Sequence, residues 1–413
     1  MKIALFMSTD TFEDFFGGGL GLTEADYIST YRNDFSFEYA KMLSEVGIGT
    51  VIYNFTRHGE SRGAKHSLVD CFVKFVPTTS WYKLYRSIPY SGKTFLGRYI
   101  SSYISTNERQ LEQEFRKEGI DIVYVQEYAY GRFDAIAKVA KRMGIPVVGA
   151  HHGSSIHKGL LERKRRSLKL ADLITCLNYD ELNKMKACYP ELADKIKLVP
   201  NAVNTSLFKI KDREESARNL GLDPRKTYLL TVGRLFDTQK GHTTLIKAMS
   251  LMEAGPQTEL LIIGTGPDRE LLQKQIDQLG LGQKVTLVGQ VLDRGKMSDY
   301  FNLCEMFVLP SRYEGMPLVI LEAGACGKPT VAFDVVGVRD LLNDGENGVK
   351  IPVHSAELLA KEISSLLADG LRRKAMGAKA HELVQREYNE LSLAKKFKRE
   401  FELMLPASSY AAN

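Results

Sequence analysis

The sequence predicts two successive α/β domains, each built on a doubly wound sheet of parallel strands. Three observations carry this. Short β-branched runs alternate with amphipathic helical stretches along the chain. The alternation lapses in the polar, charged stretch 201–226 and then restarts. The chain, at 413 residues, is long enough for two or three cores.

In order, the strand candidates of the first run are "KIALFMS", "GTVIYNF", "FVKFVP", "DIVYVQEY", "PVVGAHH", "DLITCLN" and "KIKLVP". Helical periodicity lies between them, as in "SFEYAKMLSEVG" and "RFDAIAKVAKRMG". The second run reads "TYLLTVGRL", "ELLIIGTG", "KVTLVGQ", "MFVLPS", "PTVAFD" and "GVKIP", with helices such as "HTTLIKAMSLM" and "DRELLQKQIDQLG". The expected boundaries are 1–203 and 204–390, followed by a helix over 391–413 that packs back towards the first domain.

Composition excludes several classes. Five cysteines, odd in number and scattered without a CxxC spacing, argue against a disulfide framework and a zinc site. They fit a reducing cytosol. The start "MKIALFMSTDTFED" reads as a first strand and not as a signal peptide. No segment approaches the roughly 18 apolar residues of a membrane span. The net charge of +6 is mild and does not point to nucleic acid.

Two stretches carry a local excess. "HKGLLERKRRSLK" (157–169) has six Lys/Arg against one Glu, and reads as a solvated helix face. "WYKLYRSIPYSGKTFLGRYISSYIS" (81–105) has four basic residues, seven aromatics and no acid, and reads as an irregular, partly buried loop. The sharper alternative for both is a surface meeting anionic lipid headgroups or a phosphate-bearing acceptor.

Ligands of open parallel sheets bind at the carboxyl ends of strands, so the loops there hold the candidate chemistry. In "TVGRLFDTQKGHTTLI", Arg234 and Lys240 stand beside a helix start, a combination suited to a diphosphate. "GTGP" (264–267) lacks the third glycine and later acid of a dinucleotide fingerprint, which disfavours a nicotinamide oxidoreductase. Its Gly264 and Gly266 are expected to let backbone approach a ligand closely. "RYEGMPLVILEAGACGKP" (312–329) places Glu314 at a strand end and Glu322 within an apolar run, with Pro317 in a helix's first turn. Carboxylates there suit polyhydroxyl ligands, which they engage by accepting hydroxyl hydrogen bonds. His151 and His152 follow a strand, and "FFGGGLGL" (15–22) reads as a glycine-rich loop. No Asp-x-Asp occurs, so no acidic metal clamp is evident and no metal or other cofactor is expected.

In order and spacing, "VGRL…QKG", "GTGP", "VTLVGQV", "LPSRYEGMPLVILEAGACGKP" and "NGV" resemble the nucleotide-sugar-dependent, retaining glycosyltransferases of family 4, with the two-domain GT-B fold. The match runs over roughly 195–390. The resemblance implies that Arg234 and Lys240 hold the donor diphosphate. Glu314, with amides near Gly315, Met316, Pro317 and Leu318, would bind hydroxyls of the transferred sugar. Glu322 would hold the ribose, Val291 and Lys296 would lie near the base, and His152 would face the sugar. Gly18 and Gly19 correspond to an early glycine pair, here separated from the following helix by the insertion "LGLTEADYISTYRND".

The implied reaction is hexosyl transfer from a nucleotide-diphosphate sugar (a UDP-sugar favoured, GDP-mannose the alternative) to a sugar, lipid-linked or small-molecule acceptor. The alternatives are a non-catalytic sugar-nucleotide-binding protein and a GT-B epimerase or phosphorylase. The expected location is cytoplasmic, with peripheral membrane contact under the sharper reading of the basic stretches.

Overall fold

The computed structural model describes residues 1–6, 10–18, 21–31, 35–88, 94–151, 164–252 and 257–405. Among them the chain divides into two units: Met1–Val199 together with the last helix from Leu393, and Pro200–Ser392.

The first unit is built on an eight-stranded sheet. Its strands are β1 (Lys2–Phe6), β2 (Gly49–Thr56), β3 (Arg62–Lys65), β4 (Phe72–Pro77), β5 (Ile122–Gln126), β6 (Val147–Ala150), β7 (Leu173–Cys176) and β8 (Ile196–Leu198). They run in the order β3-β4-β2-β1-β5-β6-β7-β8. All pairs are parallel except β3–β4. β3 was not expected. Its sequence "RGAK" has no apolar alternation, and it forms by pairing antiparallel on the edge, where only one side needs a partner. β1, β5 and β6 are nearly uniformly buried, as strands covered on both faces must be.

The last helix, Glu390–Met404, packs into this unit. Phe397 meets the rings of Tyr39 and Tyr124 at 5.7 and 6.0 Å, and Lys197 pairs with Glu400 at 2.6 Å.

Two expectations change here. The described residues of the stretch 81–105 are not an irregular loop: they form the helices Ser80–Arg86 and Phe95–Ile104, capped by the Thr79 and Thr94 hydroxyls, while 89–93 lie outside the described residues. Nor is Lys164 on a solvated face. It is fully buried, donates to the Tyr130 carbonyl at 3.1 Å, and pairs with Asp134. A charge this deep persists only when paired.

The second unit holds six parallel strands: β9 (Thr227–Val232), β10 (Thr258–Ile263), β11 (Val285–Gly289), β12 (Met306–Leu309), β13 (Thr330–Phe333) and β14 (Gly348–Ile351). Each coincides with a sequence candidate. The order is β11-β10-β9-β12-β13-β14. The winding proceeds outward from β9 on one side and from β12 on the other, so it reverses between these two neighbours. A single core of Leu, Ile, Val and Phe from both faces holds the unit together.

Candidate functional site

At a reversal of this kind the exit loops of the two central strands diverge and leave a crevice, and the side chains in it are the candidates for chemistry. After β9 the chain turns through Gly233 and Arg234 into the short helix Asp237–Lys240. After β12 it reaches Glu314. Lys240 Nζ lies 2.5 Å from Glu314 Oε1, an ion pair spanning the β9/β12 boundary, with both side chains largely sheltered. A Cβ on Gly233 would stand 3.5 Å from the Lys240 stem, so the stem lies along the β9 exit. The Glu314 carbonyl accepts from the Gly337 amide at 3.3 Å.

Arg234 is exposed, with its guanidinium over the Phe236 ring at 5.7 Å. It donates to Gln239 Oε1 at 3.4 Å, and Gln239 Nε2 donates to the carbonyl of Tyr313, beside Glu314. The structure therefore links Arg234, Lys240 and Glu314 through Gln239, which sequence reasoning did not single out.

Glu322 is buried within the helix Leu318–Ala325, and its carboxylate pairs with Arg294 at 3.0 Å. Arg294 opens the helix Arg294–Leu303 and also lies over the Phe208 ring at 4.9 Å. Nothing local marked this arginine: its meaning comes from a partner 28 residues away in sequence, counted from 294 to 322. A buried carboxylate needs such a partner or several hydrogen-bond donors.

Gly264 and Gly266 are both needed for a close backbone approach within the unit. A Cβ on Gly264 would lie 1.9 Å from the Gly233 carbonyl oxygen, and one on Gly266 would lie 2.2 Å from that of Leu235. Gly264 also has φ of +147°, a region few side chains tolerate. The close approach is to the β9 exit loop itself. These glycines let the β10 exit pack directly on the β9 exit loop that carries Arg234.

The remaining candidates are more dispersed. Gly315 is pressed against Gly337, where an added Cβ would meet the Gly315 carbonyl oxygen at 2.3 Å. Met316 Sδ accepts from the Asn201 amide at 3.1 Å. Pro317 is the N-cap of the helix Leu318–Ala325 and not a residue of its first turn, and no side chain caps that helix start. The Ile320 amide donates to the Pro317 carbonyl at 3.1 Å. Val291 is half-buried after β11, and Lys296 is exposed on the helix Arg294–Leu303.

The sequence and the fold both match known proteins. Residues 46–207 match the family described as Glycosyltransferase Family 4, and residues 212–383 match Glycosyl transferases group 1. The chain belongs to glycosyltransferase family 4. A D-inositol 3-phosphate glycosyltransferase of Catenulispora acidiphila is 27% identical over 63% of this chain and 67% of its own length. Two further relatives of that description, from Acidothermus cellulolyticus and Segniliparus rotundus, are covered over 63% and 57% of their lengths. Sucrose-phosphate synthase of Thermosynechococcus elongatus aligns over 98% of this chain and 99% of its own, with a TM-score of 0.71 and 20% identity. HepE of Anabaena, solved in complex with UDP, aligns over 97% and 99% with a TM-score of 0.68 and 16% identity. The fold is GT-B, two Rossmann-like α/β domains.

In the first unit of this family 4 member, His152 and Gly19 lie outside the described residues. Gly18 does not sit in an open loop: it caps a helical turn, Glu13–Gly17. His151 follows β6, is buried, and places Nδ1 2.7 Å from Glu127 Oε2. Glu127 has φ of +67°, an uncommon conformation for a residue with a side chain and a mark of a constrained site. Beside them, burial raises the Glu181 carboxyl above its usual range.

The first sheet reverses its winding between β1 and β5, and a polar pocket lies among the residues that follow them. It is lined by Asp10, Asp14, Arg86, Arg98, Tyr130 and Arg132, among others. Arg132 is buried, donates to the Asp10 carbonyl at 2.9 Å and to Ser105 Oγ at 2.8 Å, and lies over the Phe55 ring at 4.4 Å. Burial pulls its guanidinium down to about 10. Asp14 is engaged by Arg86 at 3.1 Å and by Arg57 at 3.4 Å.

Proposed function

We propose that this protein is a retaining hexosyltransferase that moves a hexosyl group from a UDP-sugar to an acceptor hydroxyl. The observation that carries the reading is the Lys240–Glu314 pair across the β9/β12 boundary, with Arg234 tied to it through Gln239. Fixed cations at that point stabilise the charge that develops on a departing diphosphate, without reorganising as it forms. Family membership supports the activity, and the UDP in HepE supports uridine over guanosine.

Arg234 and Lys240 hold the diphosphate, and no metal is needed for that role, since the chain offers no Asp-x-Asp clamp. Glu314 orients the sugar hydroxyls, and Glu322, held by Arg294, accepts from the ribose hydroxyls. The acceptor oxygen bonds to the anomeric carbon on the face from which the diphosphate leaves. Its proton passes to the departing phosphate oxygen. The first unit selects the acceptor, a sugar, lipid-linked or small molecule, and the protein works in the cytoplasm, in peripheral contact with a membrane.

The test is a panel of nucleotides and nucleotide sugars scored by thermal stabilisation. A ligand at a hundred times its Kd should stabilise the protein by about 2.7 kcal/mol. NMR of the anomeric proton then reads the product of the best donor. Absence of stabilisation by any nucleotide sugar, or an inverted product, sinks the reading.

A further inference from the structure

We propose that the outward faces of the helices Ser80–Arg86 and Phe95–Ile104 form a docking surface for an anionic lipid bilayer. The inference deepens the peripheral-contact part of the function proposed above and rests on it for its biological purpose, while its test needs no turnover.

The two helices are neighbours, joined by the Tyr85 hydroxyl donating to the Gly97 carbonyl at 3.4 Å. Each has a division of faces. Tyr82 and Arg86, four apart, line the polar pocket, as do Arg98, Ser101, Ser102 and Ser105 on the second helix. The other faces carry apolar side chains into solvent. Trp81 is 74% exposed, Leu84 60% and Leu96 60%, with Ile88, Phe95 and Ile100 also exposed. Trp81 and Leu84 are three apart on one helix face, Ile88 follows just past the end of that helix, and Leu96 and Ile100 are four apart on the second helix. Scattered single exposures need no explanation, but a cluster on adjacent helices does.

Charge selects the occupant. Between Ser80 and Ser105 there are four basic residues and no acid. Lys83 is exposed and forms no ion pair among the described residues, while Arg86 is held on the pocket side by Asp14. Apolar side chains with Trp among them, flanked by the unneutralised Lys83, match the boundary between headgroups and acyl chains of an anionic membrane.

The chain supplies its own reporter, because Trp81 is its one tryptophan. Vesicles of mixed phosphatidylglycerol and phosphatidylcholine should pellet the protein and shift Trp81 emission to the blue. Pure phosphatidylcholine or high salt should do neither. Lys83→Ala should weaken vesicle binding about fivefold, and Leu84→Ser or Leu96→Ser about tenfold each. The leucine variants should keep the wild-type thermal stabilisation by UDP, which shows that the fold and the second unit are intact. Equal binding to neutral vesicles, no binding to anionic ones, or a Trp81 shift that follows protein concentration into a dimer without lipid would each overturn the proposal. Loss of vesicle binding with turnover intact condemns this inference alone; the reverse result condemns only the enzymatic reading.

Discussion

Lys240 and Glu314 meet at 2.5 Å because two loops from adjacent strands reach across the same reversal of winding. Lys240→Ala should lower transfer by about 10²–10³, measured as kcat, the scale expected for losing one preorganised charge at a leaving group. Unchanged kcat would remove Lys240 from the mechanism. Glu322→Ala should chiefly raise the donor KM, since a ribose contact binds ground and transition states alike. Arg294→Ala should do the same through Glu322, and the double variant should be less than additive. A fully additive double variant would show that the 3.0 Å pair has no part in donor binding. His242, buried just past Lys240, gives a pH signature: burial pulls its imidazole from 6.5 down to about 4. Between those values the unfolded chain takes up a proton that the folded unit refuses. Stability should therefore fall as pH drops from 6.5 to 4, by a total on the order of 3 kcal/mol. His242→Gln should flatten that part of the profile in chemical denaturation. Arg234, Lys240, Glu314 and Glu322 were legible in the sequence because their types are rare at strand ends and inside apolar runs. Arg294, Gln239 and Glu127 were not, because each acquires meaning only from a partner in space.

Among the elements, the loops beyond β9 and β10 act as one piece. Gly264→Ala would drive a methyl into the Gly233 carbonyl oxygen and demand a φ of +147° from alanine. The expected cost is about 2–4 kcal/mol by thermal or chemical unfolding, in the range of strain at a special backbone position. Nucleotide binding should weaken with it, because the displaced loop carries Arg234. If stability stays at the wild-type level, the loop packing described above is wrong. The sequence announced all six strands of the second unit, since each is an apolar run bounded by turn residues. It did not announce β3, whose four residues gain their structure from β4, nor the helices in 81–105. There the polar residues line a pocket and the apolar ones meet solvent, the reverse of the arrangement by which helical periodicity is ordinarily read.

At the scale of the whole molecule, residues far apart in sequence complete one core. Phe397 packs on Tyr39 and Tyr124, and Lys396 Nζ donates to the Leu198 carbonyl at 2.7 Å. Phe397→Ala should destabilise the first unit by about 3–5 kcal/mol. In a melt with two resolved transitions, the UDP-responsive one should be the less affected. If that transition falls instead, the helix supports the second unit. The helix also sets an order of events during synthesis. A nascent chain must expose the rings of Tyr39 and Tyr124 to water until some 270 further residues have left the ribosome, counting from 124 to 397. The domain translated second can thus finish folding while the one translated first still waits for its closing piece, and a stalled ribosome would strand it half-made.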